Sequence, residues 1–98
     1  MVFLKSPPLD DNVSHTCINT NNIIIICLDS SANDRYKIII VTKPNTMGVN
    51  FAEYGKEGPE IYQELIRRLE VTPTESIQLP EEDNIYQINK FLRKDMRI

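Results

Sequence analysis

An α+β fold is what this sequence predicts: a small two-layer domain, mainly antiparallel sheet, packed by two amphipathic helices. Three observations carry that expectation. Two β-branched apolar runs, residues 23–28 and 36–42, flank a short polar segment and read as a central hairpin. Two later stretches, residues 59–70 and 80–95, repeat apolar residues at helical spacing behind a proline. The strands come first in the chain and the helices after, an order that suits segregated layers rather than alternating βαβ units.

Residues 1–12 read as an irregular lead-in, because Pro7 and Pro8 lock φ and remove ladder donors. Val13 to Asn19 alternates apolar and polar residues and predicts an edge or half-buried strand. Thr20–Asn22 then offers a turn, since Asn tolerates left-handed backbone angles.

The hairpin follows. Four consecutive isoleucines, Ile23–Ile26, are stiff at χ1 and crowd a helical turn, so a strand is expected there. Unbroken apolar runs suit strands covered on both faces. Two short helices can cover one face; the other then falls to the N-terminal segment or to a second copy of the chain. A homodimer through the sheet is therefore one expectation.

Asp29, Ser31, Asn33 and Asp34, between the two runs, place oxygens at alternate positions, as a calcium loop begins. The glycine such a loop needs at its sixth position is Asp34, and the closing glutamate at its twelfth is Ile40. The segment is read as a turn, and no metal or cofactor is expected.

Val49–Tyr54 predicts a further strand, and "GKEGP" at residues 55–59 stops it. Pro59 sits where a first helical residue is favoured, with Glu60 in the first turn and Arg67 and Arg68 in the last. The gap before the second helix is a loop or a short strand around Ser76–Leu79. Pro80 then opens the same grammar again: Glu81, Glu82 and Asp83 first, Lys90, Arg93 and Lys94 last.

At 98 residues the chain reads as one domain, 1–98, with 41% hydrophobic and 26% charged residues. No run approaches the ~20 apolar residues of a membrane helix. The first residues do not resemble a signal peptide, and the two cysteines suit free thiols in a reducing compartment, so a cytoplasmic location is expected. Net charge is −3, unevenly spread: residues 1–89 hold 7 Lys and Arg against 13 Asp and Glu, and residues 90–98 hold 4 against 1. An acidic body argues against nonspecific nucleic-acid binding, which needs a broad basic field. The basic C-terminal helix leaves weak nucleic-acid binding only as an alternative.

His15 and Cys17 would share one side of a strand, where a thiolate could be activated or a zinc site begun. Zinc lacks enough further ligands, and catalysis lacks an orienting group and an oxyanion hole. A small enzyme, or part of an active site, built on His15 and Cys17 is the second alternative. "GKEGPE" lacks the glycines and the Lys-Ser/Thr of a phosphate loop, and Glu60 with Glu64 reads as surface ion pairing.

The tyrosines are the most functional-looking feature, because Tyr offers a large apolar body with one polar tip and is favoured at interfaces. The candidate partner-binding residues are Tyr54, Tyr62, Tyr86, Arg93, Lys94 and Arg97. Together these features predict a small non-enzymatic protein-interaction or regulatory module: an adaptor, inhibitor or regulatory subunit.

Overall fold

The computed structural model describes residues 2–8, 16–43, 48–71 and 75–94. In chain order these form β1 (Phe3–Lys5), β2 (Cys17–Asn19), a 3₁₀ turn (Thr20–Asn22), β3 (Ile23–Ser31), β4 (Arg35–Thr42) and β5 (Val49–Tyr54). Helix α1 (Gly58–Glu70), β6 (Ile77–Gln78) and α2 (Ile85–Phe91) follow. The α+β expectation holds, as two small sheets and two helices around one core. The larger sheet is antiparallel in the order β3-β4-β5, and the smaller one is mixed in the order β2-β1-β6.

The opening segment, expected to be irregular through residue 12, contributes β1, the centre of the small sheet. Leu4 of β1 pairs with Ile18 of β2 on one side and Ile77 of β6 on the other. Ser6 is buried, yet its polar groups are satisfied. Its hydroxyl accepts from the Thr16 N–H, its N–H donates to the Thr16 carbonyl, and its own carbonyl accepts from Gln78 Nε2. Those bonds close the segment onto the core, the condition for burying backbone polar groups without penalty.

The hairpin forms as expected and runs longer than predicted, from Ile23↔Thr42 to Ser31↔Arg35. Asn33 and Asp34 turn it with φ of 65° and 57°. Asn and Asp enter this left-handed region more readily than other residues with side chains. Opposed residues of antiparallel strands point to one side of a sheet. Register therefore sorts Ile26 with Ile40, Leu28 with Ile38 and Ala52, and Tyr36 with Tyr54, onto the core face. Ile25 with Val41, Cys27 with Ile39 and Asn50, and Asp29 with Lys37 and Glu53 lie on the other.

Of the two covers expected for that other face, the described part of the N-terminal segment lies on the core side instead, with Leu4 packed among the core residues. Ile38 and Ile40 are 0% and 1% exposed, whereas Ile24 and Ile25 are 45% and 52% exposed. The core is one-sided: Leu4, Ile61, Leu65, Ile77, Leu79, Ile88 and Phe91 all gather on the Ile38/Ile40 side. Two bulges sharpen the asymmetry. Ile24 has no partner in β4, and Phe51 has none in β4 either. A bulge breaks the period of two. Phe51 and Ala52 accordingly are both buried, and Ile24 and Ile25 are both exposed.

Helix α1 lies within one residue of its predicted span. The second helix does not match 80–95: α2 covers only Ile85–Phe91. Pro80 is not its first residue, because Asp83 turns left-handed at φ 61° and Asn84 becomes the N-cap. Asn84 Oδ1 accepts from the Gln87 N–H, while Gln87 Oε1 reaches back to the Glu81 N–H. This is a capping arrangement at the spacing Asn-x-x-Gln. At the far end Arg93 turns left-handed at φ 59°. The Lys94 N–H reaches the Asn89 carbonyl and the Arg93 N–H the Lys90 carbonyl. Both bonds belong to a Schellman stop, which usually carries glycine where Arg93 stands.

Candidate functional site

Of the six residues singled out from the sequence, the five that are described separate into three groups. Tyr54 is buried in the core, and Tyr62 is partly buried. The Tyr54 hydroxyl is buried and donates to the Pro80 carbonyl at 2.7 Å, tying β5 to the segment before α2. Burial, and then the charge of Glu82, hold its phenol well above the ordinary tyrosine range. Tyr62 is half-buried, and its hydroxyl donates to the Ile26 carbonyl at 3.1 Å, fastening α1 to the outermost strand β3. An edge strand carries unpaired backbone groups, and this contact takes up one of them.

Arg93 and Lys94 do come together, and α1 brings two more cations to them. Glu64 Oε2 accepts from Arg67 Nη2 at 2.6 Å and Arg68 Nε at 2.7 Å, with Arg93 Nε at 4.0 Å. Lys94 Nζ lies 3.1 Å from Glu60 Oε2. The hydrogen bond from Arg67 does most to hold the Glu64 carboxyl below its ordinary pKa, and Arg68 adds to it against the opposing effect of burial. Arg68 also donates from Nη2 to the Phe91 carbonyl and stacks its guanidinium 4.0 Å from the Phe91 ring centre. Four cations thus surround two carboxylates where the last turn of α1 meets the end of α2.

Tyr86 stands on the outward side of α2, 64% exposed beside Ile85 at 54%, opposite the buried Ile88 and Phe91. It is the one tyrosine of the three candidates that presents its ring to solvent. Arg97 lies outside the described residues.

His15 also lies outside the described residues. Cys17 is exposed on β2 opposite Lys5, and Cys27 is exposed on the open face of β3 opposite Ile39. The two thiols sit in different sheets and are unbridged. Among the described residues no group of three or more His, Cys, Asp and Glu side chains could hold a metal ion. No helix among them is long and apolar enough to cross a membrane.

A second group of residues escaped the sequence reading. A groove of about 460 Å³ opens between β3 and α1, lined by Ile23, Ile24, Ile26, Ile66 and Leu69, with Thr20, Asn21 and Glu70 at its rim. Val71, just past the groove, is 66% exposed. Ile24 faces this groove and Ile25 the open side of the sheet, so apolar surface wraps around the edge strand. The charged end of the open face lies farther along the strands, where Arg35 Nε bonds Glu53 Oε2 at 3.0 Å and Asp83 stands 3.5 Å from Arg35 Nη1. Isoleucine composition alone carried no signal that these positions face outward, since the bulge at Ile24 is a property of the register.

Compared with known proteins, the chain matches no family model, no curated protein and no solved structure.

Proposed function

We propose that this chain is a small non-enzymatic protein-interaction or regulatory module, an adaptor, inhibitor or regulatory subunit acting in the cytoplasm. The observation that carries the reading is the pair Ile24 and Ile25, adjacent and about half exposed on an edge strand, beside an apolar groove. Single exposed apolar residues are ordinary on a protein surface; a contiguous patch rimmed by polar groups marks a contact site. Tyr86, projecting from α2 with Lys90 one helical turn away, supports the same reading as a second exposed anchor. The cytoplasmic part of the reading draws on the two unbridged cysteines, which suit a reducing compartment.

Site-specific photo-crosslinking tests it. A photoreactive side chain is placed at position 25, at position 86 and, as control, at Asn33 on the hairpin turn. The reading requires a discrete cross-linked protein species from 25 or 86 and none from 33. Equal labelling from all three positions, or none from any, contradicts it.

A further inference from the structure

We infer that the exposed isoleucine end of the chain is an interface with a second copy of the same chain, in which Lys43 of each copy faces Glu70 of the other. This rests on the reading of the chain as an interaction module and names its partner.

Three features of one end of the molecule lead there. The first is the wrapped apolar surface: Ile25 and Cys27 on the open sheet face, Ile24 at the bulge, and Ile66, Leu69 and Val71 across the groove. Its burial would cover apolar side chains that stand exposed, Ile24, Ile25 and Val71 among them.

The second is charge. The chain carries a net charge of −3, so two copies repel unless their acidic groups stay apart. Glu53, Glu82 and Asp83 cluster about Arg35, near the Ser31↔Arg35 end of the hairpin, away from the Ile23↔Thr42 end where the patch lies. Among the described residues, a base and an acid stand near this end. Lys43 follows the last residue of β4, its N–H bonded to the Asn22 carbonyl, and Glu70 lines the groove beside Asn21 and Ile23. Both are exposed, and among the described residues neither takes part in an ion pair within the chain. A two-fold contact is self-complementary: if Lys43 meets Glu70 of the second copy, Glu70 meets its Lys43 as well. One acid and one base flanking a neutral apolar patch satisfy that rule, whereas a strongly charged foreign partner would find no matching field there.

The third is the state of the β3 edge. A long apolar edge strand invites open-ended strand addition, but the bulge at Ile24 and the Tyr62 hydroxyl on the Ile26 carbonyl interrupt it. Association through side chains across the wrapped patch, closing as a pair, fits such an edge better than a growing sheet.

Sedimentation velocity of the full chain across a concentration series tests the proposal, using wild type, Ile25→Asp, Lys43→Glu, Glu70→Lys and the double variant Lys43→Glu/Glu70→Lys. Wild type is expected to approach twice the monomer mass, and Ile25→Asp to stay monomeric at every concentration. Each single charge variant is expected to weaken association about tenfold, since two-fold symmetry counts each exposed pair twice, and the double swap to restore it. Labelling of Cys27 in a Cys17→Ser background gives a second reading, slowing with concentration in wild type and in the double variant, and only at about tenfold higher concentration in the single charge variants. These charge substitutions lie on the surface, so the test survives if Ile25→Asp fails to fold. A strict monomer overturns the proposal, and so does a dimer indifferent to all four variants. A monomer whose cross-linked foreign partner is lost in Ile25→Asp overturns the second copy as occupant while leaving the interaction-module reading standing.

Discussion

The Tyr54 hydroxyl and the Pro80 carbonyl oxygen meet at 2.7 Å inside the core, joining the last residue of β5 to the start of the segment that leads into α2. Tyr54 is 0% exposed, so this bond replaces water that cannot reach either group. Removing the hydroxyl leaves the Pro80 carbonyl without that donor. Tyr54→Phe is expected to lose about 1–2 kcal/mol of stability, read by urea unfolding near neutral pH. The same residue sets an alkaline limit. Its folded pKa is raised, above all by burial, so the neutral form is favoured in the folded state. Its stabilising effect is whole below the ordinary tyrosine pKa of about 10 and declines as pH rises beyond it. Wild type is expected to lose stability there more steeply than Tyr54→Phe; parallel profiles would show that the phenol is not confined as described.

Glu64 sets the opposite limit. Its carboxyl is held below the ordinary range by Arg67 first and Arg68 second. A depressed folded pKa contributes stability above the unfolded value, about 4.3, and loses it as pH falls through the folded one. Glu64→Gln is expected to cost about 1 kcal/mol near pH 7 and progressively less below pH ~4. Urea midpoints at neutral and acid pH check this, and a difference that does not shrink on acidification would contradict it.

Gly58 opens α1 directly against Tyr36. A methyl group there would lie 2.6 Å from Tyr36 Cβ and 3.0 Å from Cγ, closer than atoms can approach. Gly58→Ala is therefore expected to destabilise by about 1–3 kcal/mol, although alanine is the better helix former. Gly55→Ala is the control, because its added methyl meets nothing nearer than 3.8 Å. The difference between their thermal midpoints is the measurement.

Arg93 holds the left-handed position that ends α2. An L side chain in that conformation is strained by about 1 kcal/mol, and its guanidinium gains only a 4.0 Å approach to Glu64 in return. Arg93→Gly is expected to stabilise the chain by about 0.5–1 kcal/mol in chemical denaturation. A loss of stability instead would mean that Arg93 contributes more to the Glu64 cluster than its distance implies.

Patterns of local chemistry carried much of this fold. The χ1 stiffness of Ile23–Ile26, the turn residues Asn33 and Asp34, and the proline-acid start of α1 each pointed to the structure that forms. The extent of α2 was misread because Pro80-Glu81-Glu82-Asp83 has the same composition as a helix start. The deciding residues, Asn84 and Gln87, were present but compete with that stronger-looking signal. β1 was hidden because three residues are too few for a periodic pattern, and its partners lie 12 or more residues away. The hydroxyl partners of Tyr54 and Tyr62 were not legible, for a different reason. A tyrosine hydroxyl is satisfied equally by solvent or by a carbonyl, and the two carbonyls that bind them come from distant segments. Bulges are the least legible feature: Ile24 and Phe51 are apolar in the sequence alike, yet one faces solvent and the other the core.

The exposed isoleucine end is tested most directly by the thermal midpoint as a function of protein concentration, for wild type and for Ile25→Asp. Association that occurs only in the folded state raises the midpoint with concentration. The expected result is a rising midpoint for wild type and a flat one for Ile25→Asp. Flat lines for both, or equal slopes, would contradict a role for this surface as the contact between two copies.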